Sequence, residues 1–400
     1  MGATPRALFY LVGGPGLAAS TLADLVAASH STTRSTHAIV LVDQRGTGGS
    51  NALDCDLYDD NVQAYLSDQF SPEKVRACAR RLASRGDLTA YTTENAAEDL
   101  EAVRAQLDVD RIDIDASAYG TRVALTYMRR YPDRLRSVVL QGAIADDVPL
   151  PTTAARDAQR ALNRVFADCA ADPFCRTSFP ALRREHDSLL SRLNRGPLSI
   201  RVQHPRSTDS ITVVLSRGVF ADRLRLMLYS TRLSRRIPML VHRAHEGDWT
   251  PFVTLAYEMS RVVFDHLDVG AHLSVACSED TSQPTETRGT FLGDYRLRIY
   301  REACALWPSS PGSAVRPQVQ TRAPVLLVTG GLDPVTPPEL AGAVARMLPN
   351  ATVMIVPGMA HAGTERCVEE VIAAFVFRGS MEGVDSSCVS GVKAPAFITR

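Results

Sequence analysis

Short apolar runs rich in Val, Ile and Leu alternate along the chain with stretches whose apolar residues recur at three and four spacing. The runs Ala7–Val12, Ala38–Val42, Arg111–Asp115, Ser137–Leu140, Val325–Thr329 and Thr352–Val356 predict strands; Asn95–Leu107 and Thr121–Arg130 predict helices. Strands that are apolar on both faces and separated by helical segments belong to a mostly parallel sheet flanked by helices. From Pro149 to Ala314 the alternation stops, and the chain becomes arginine-rich, helical in pattern and bounded by proline-containing segments. This block is expected to be a helical subdomain inserted into an α/β core. The chain then divides into residues 1–148, 149–314 and 315–400.

Composition narrows the function classes. With 400 residues, 45% hydrophobic and 22% charged, the chain has ample apolar surface for a large core, which excludes a disordered tail. Basic and acidic residues balance at 44 each, so no global field favours nucleic acid or an anionic membrane, and neither is expected as a partner. No apolar run reaches the roughly 18 residues that spanning a bilayer requires. The stretch Ala7–Ala19 behind Arg6 imitates a signal peptide, but Gly13, Gly14, Pro15 and Gly16 interrupt it, as suits a strand entering a glycine turn.

Eight cysteines, at 55, 78, 169, 175, 277, 304, 367 and 388, include no CxxC pair, so a structural zinc site is not expected. They are either buried thiols or disulfides formed in an oxidising compartment, which would be periplasmic or secreted. Pairing between sequence neighbours would join Cys55 to Cys78, Cys169 to Cys175, Cys277 to Cys304 and Cys367 to Cys388.

The strand carrying Ile112 and Ile114 runs through Ala116-Ser117-Ala118-Tyr119-Gly120-Thr121 into a helix, the setting of a nucleophile elbow. Such an elbow needs small residues two before and two after its centre, so that strand and helix can approach. Centred on Ser117, the flanks would be Asp115 and Tyr119, both too bulky. Centred on Ala118, they are Ala116 and Gly120, which fit. The nucleophile position therefore holds Ala118, which has no oxygen to attack with, and the chain is expected to be inactive at the central step. A serine replaced to trap a ligand and a natural pseudoenzyme both explain it.

The other parts of a serine hydrolase are present in order. Asp333 follows the strand Val325–Thr329, and His361 follows Thr352–Val356 in a glycine-containing loop, so acid precedes base downstream of the elbow. The turn Gly13-Gly14-Pro15-Gly16 lets backbone amides approach a developing negative charge. Gly14 and Tyr119 are the expected oxyanion donors, with Gly13 in the substrate-binding turn. This chemistry needs no metal or organic cofactor. His242, His245 and Glu246 form neither HExxH nor HxxEH and read as a surface helix.

Taken together, Gly13-Gly14-Pro15-Gly16, Asp43-Gln44-Arg45-Gly46-Thr47-Gly48, Tyr119-Gly120-Thr121-Arg122, Asp333 and His361 resemble the α/β-hydrolases of the prolyl aminopeptidase and tripeptidyl aminopeptidase family. The resemblance implies that the 149–314 insertion is a cap and that the substrate is a peptide shortened from its amino end. It also implies a leading strand pair, and often a secretion signal, upstream of residue 1. Recognition of a free ammonium calls for carboxylates, and the expected pair is Glu279 and Asp280, beside Cys277. The tryptophan-rich acidic motif of prolyl aminopeptidases is missing, so strict proline specificity is not expected. An esterase or amidase on a small-molecule substrate and a non-catalytic binding module are the alternatives.

Overall fold

A computed structural model of the chain describes residues 6–59, 61–145, 148–279, 287–310, 319–363 and 365–399. The first strands are β1 (Arg6–Leu11), β2 (His37–Leu41), β3 (Ile112–Ser117) and β4 (Leu135–Gln141). A long, mainly helical segment follows, holding β5 (Leu198–Gln203) and β6 (Ser210–Leu215), after which β7 (Val325–Gly330) and β8 (Ala351–Val356) complete the sheet. The six sheet strands run in the order β2-β1-β3-β4-β7-β8, and every pair is parallel.

Each predicted sheet strand and both predicted helices are present, with ends shifted by one or two residues. The helix Thr93–Gln106 starts where the Thr92 hydroxyl accepts from the Asn95 amide at 3.3 Å. The helix Arg366–Arg378 stops at Gly379, whose φ of 70° is the left-handed conformation glycine adopts without penalty. Central β7 is buried throughout, as a doubly covered strand must be.

Central β3 is different. Ile112, Ile114 and Ala116 face one apolar layer, while Asp113 and Asp115 point into the other and are fully buried. Those carboxylates persist because each is paired. Asp113 meets Arg136 at 2.6 Å and also accepts from Ser137; Asp115 accepts from His30 Nε2 at 2.9 Å and from Gln141 at 2.8 Å.

Three apolar cores form. Two lie on the opposite faces of the sheet. The third joins the helices between Ala154 and Trp307 to residues 53–88, including the helix Pro72–Ala83. Residues 53–88 thus pack with the inserted segment rather than on the sheet. The insertion also departs from an all-helical reading. Antiparallel β5 and β6 form a hairpin whose side chains alternate between buried and exposed, a period of two. All eight cysteines pair with their sequence neighbours, in the four disulfides 55–78, 169–175, 277–304 and 367–388. These fit an oxidising, extracellular-type setting. No helix among the described residues is long and apolar enough to cross a membrane.

Candidate active site

The sharp turn after β3 places Ala118 at φ 48°, one of three non-glycine residues at positive φ among those described. An alanine in this conformation costs roughly 1–2 kcal/mol, so the surroundings must impose it. The Ala118 amide donates to Gln141 O on β4 at 2.9 Å, and the Ala118 carbonyl accepts from the Thr121 hydroxyl at 2.6 Å. Close approach sets the flanks. A methyl at Gly120 would stand 2.3 Å from the Leu11 carbonyl oxygen, and one at Gly13 would stand 2.9 Å from Ala118 Cβ. Ser117 is the last residue of β3, one position before the turn's apex.

Asp333, at the carboxyl end of β7, is 2% exposed, and its carboxylate accepts four hydrogen bonds. Its Oδ1 accepts from the amides of Val335 at 2.7 Å and Thr336 at 2.8 Å; Oδ2 accepts from the Thr336 hydroxyl at 2.6 Å and from His361 Nδ1 at 2.8 Å. Burial pushes this carboxyl up, but the His361 charge and these hydrogen bonds outweigh it and hold the group below the ordinary aspartate range. Donation from Nδ1 to Asp333 leaves Nε2 as the imidazole's basic nitrogen. Gly142, next to the Gln141 that anchors Ala118, brings the ring to the elbow: a methyl on Gly142 would lie 3.6 Å from His361 Cε1.

The turn at Ala118, Asp333 and His361 follow the carboxyl ends of β3, β7 and β8, three parallel strands of the same sheet. In sequence, residues 290–388 match the family described as TAP-like protein. The chain has the α/β-hydrolase fold, a mostly parallel sheet flanked by helices. It is similar to serine protease Hip1 of Mycobacterium tuberculosis, with 25% identity over 328 residues, 74% of this chain and 61% of Hip1. The chain therefore spans about three-fifths of that relative's length. It is 24% identical over 375 residues to the putative hydrolase YuaR of Escherichia coli, covering 86% of this chain and 72% of YuaR. Among solved structures, proline iminopeptidase from Mycobacterium smegmatis shares 16% identity at a TM-score of 0.43, covering 94% of this chain and 90% of that one. A thermophilic esterase from Thermogutta terrifontis shares 15% at 0.42, covering 94% and 91%.

Two residues that sequence reasoning missed connect the insertion to this site. Tyr229 packs edge-on against the His361 ring, with centroids 5.2 Å apart, while its carbonyl accepts from the Ala362 amide at 2.7 Å. His272 donates from Nδ1 to the Pro15 carbonyl at 2.8 Å and accepts at Nε2 from the Tyr300 hydroxyl at 2.7 Å. Burial pushes the His272 imidazole down to about 4, so it is neutral at pH 7 and braces the Gly13–Gly16 turn without charge. His272 lies inside the helix Val269–Glu279 and Tyr229 in the turn between the helices Arg217–Met227 and Thr231–Ser234, where no local motif marks either.

The other expected site residues fall as follows. Gly13 and Tyr119 flank Ala118 directly: a methyl on Gly13 would be 3.6 Å from the Tyr119 amide nitrogen. Gly14, at φ 114°, occupies the same turn. Glu279 is 4% exposed and lies behind Tyr119. Its two carboxylate oxygens accept from the Thr93 amide at 2.9 Å and the Thr93 hydroxyl at 2.7 Å, and that hydroxyl is 3.0 Å from the Tyr119 hydroxyl. Asp280 lies outside the described residues. His242 meets Glu185 at 3.1 Å and Glu246 at 3.8 Å on the surface of the insertion; His245 is exposed beside them.

Proposed function

We propose that this chain has the active site of a serine hydrolase of the aminopeptidase type, silenced at the nucleophile, and that as it stands it binds substrate without turning it over. The observation that carries the reading is the strained conformation kept at Ala118, φ 48°, alongside the His361–Asp333 hydrogen bond of 2.8 Å. Alanine gains nothing from that conformation, whereas a serine hydroxyl there would be presented for attack. With serine at 118, attack on the scissile carbonyl would pass the hydroxyl proton to His361 Nε2. His361 would return it to the leaving amine, and Asp333 would hold the imidazole and stabilise its charge. The Gly14 and Tyr119 amides would receive the developing oxyanion. No step in this scheme calls for a metal or cofactor.

The segment 149–314 is the cap in this proposal, because Tyr229 and His272 tie it to the histidine loop and the oxyanion turn. A periplasmic or secreted location agrees with the four disulfides. The peptide reading is supported by the similarity to Hip1, whose name is serine protease. Glu279 enters through Thr93 and Tyr119, as a brace for the residue after the nucleophile rather than as a free acceptor for an ammonium. The test is Ala118→Ser, followed by hydrolysis of aminoacyl and peptidyl anilides. Cleavage of simple esters without anilides would instead identify an esterase.

A further inference from the structure

The insertion buries a cluster of guanidinium groups with too few carboxylates. Asp222 is fully buried, and both its oxygens are used, Oδ1 by Arg296 at 2.8 Å and Oδ2 by Arg223 at 2.7 Å. Arg223 also donates to the carbonyls of Tyr65 and Ser67, and Arg296 to the Tyr300 hydroxyl. Arg225 acts electrostatically on Asp222 and Tyr300 but has no acid of its own among the described residues. It is 3% exposed, and its Nε and Nη1 are buried with no hydrogen-bond partner there. A buried cation with unmet donors is costly unless something anionic completes it.

Its position ties that cost to the active site. The Arg225 guanidinium sits 5.1 Å from the Tyr229 ring centroid, and the same ring meets His361 at 5.2 Å. The Tyr229 ring therefore contacts both the Arg225 guanidinium and the His361 imidazole.

We propose that Arg225 is the anchor of a carboxylate-binding subsite, and that the ligand class it selects is a short peptide with a free carboxyl terminus. The inference rests on the hydrolase reading only for the side of the scissile bond. In that reading His361 hands its proton to the leaving amine, so the wall formed by Tyr229 belongs to the leaving portion. The two ring contacts keep the Arg225 guanidinium within about 10 Å of the His361 ring centre; at about 3.3–3.6 Å per residue, a peptide reaching from the imidazole to Arg225 spans at most about three residues. Carboxylate and guanidinium then pair through charge-assisted hydrogen bonds.

Calorimetry on the unaltered chain tests this without any turnover, using Ala-Ala-Ala as the free acid and as its carboxyl-terminal amide. The free acid should bind about ten- to a hundredfold more tightly, the range expected for a hydrogen-bonded charge. Arg225→Met should erase the difference while leaving amide affinity unchanged, and Arg225→Lys should retain part of it. Equal affinities for acid and amide, or no measurable binding of either, would overturn the proposal even if the methionine variant fails to fold. Because Ala118→Ser labelling is scored separately, a failed subsite and a failed hydrolase reading give different patterns of results.

Discussion

At the level of single residues, the site is a set of close approaches that leave little choice of side chain. Gly120 is the tightest, since any Cβ would meet the Leu11 carbonyl at 2.3 Å. Gly120→Ala should therefore destabilise the fold by about 1–3 kcal/mol, the usual cost of overpacking, read as a lowered urea midpoint at unchanged slope. The proposed role of Asp333 can be probed in the Ala118→Ser variant. Asp333→Asn in an Ala118→Ser background should lower kcat by a factor on the order of 10⁴, with a smaller change in KM, by analogy with other triads. Thr336→Val removes one of the four hydrogen bonds to Asp333, costing about 1 kcal/mol of stability. The sharp turn at Ala118 and the loops bearing Asp333 and His361 were legible in the sequence because backbone geometry restricts each to a short motif. Tyr229 and His272 were not, because their partners lie 132 and 257 residues away and nothing local announces them.

Among the elements, the sheet was read well because periodicity is local: a doubly covered strand declares itself by a run of branched apolar residues. Two features of the insertion escaped. The β5–β6 hairpin is signalled only by alternation over six residues on each arm, easily masked by the helical pattern around it. Residues 53–88 join the insertion's core through contacts no linear pattern reveals. Pairing of Cys277 with Cys304, 27 residues apart, ties the helix bearing His272 to the helix bearing Tyr300. On loop-closure grounds its loss should cost about 3–4 kcal/mol. The Cys169–Cys175 bridge, closing a separation of six, should cost about 2 kcal/mol. Differential scanning calorimetry of the two Cys→Ser pairs should show the larger drop in melting temperature for 277–304.

Across the whole molecule, buried titratable groups make stability depend on pH with identifiable signs. Asp333 and Asp222 are held below the ordinary carboxylate range; for both, burial opposes the shift and neighbouring cations or hydrogen bonds outweigh it. Their contribution is complete above the unfolded value near 3.9 and is lost as pH falls through the lower folded values. His272, pushed down to about 4, binds its proton later in the folded state than in the unfolded one. Stability should therefore fall as pH drops from about 6.5 towards 4, and His272→Gln should flatten that part of the profile. His30 has the opposite sign. Burial pushes it down, but the hydrogen bond and charge of Asp115 raise it, so its contribution is full below about 6.5 and is lost as pH rises through its folded value. His30→Gln should lessen the decline on the alkaline side, measured by urea midpoints across the same range.

The central claim is that everything except the nucleophile is in place. Ala118→Ser, incubated with a fluorophosphonate probe and resolved by intact-mass spectrometry, tests it most directly. The account predicts a single covalent adduct at residue 118 that disappears when His361→Gln is added, with no adduct on the unaltered chain. A folded Ala118→Ser protein that stays unlabelled after prolonged exposure would contradict it.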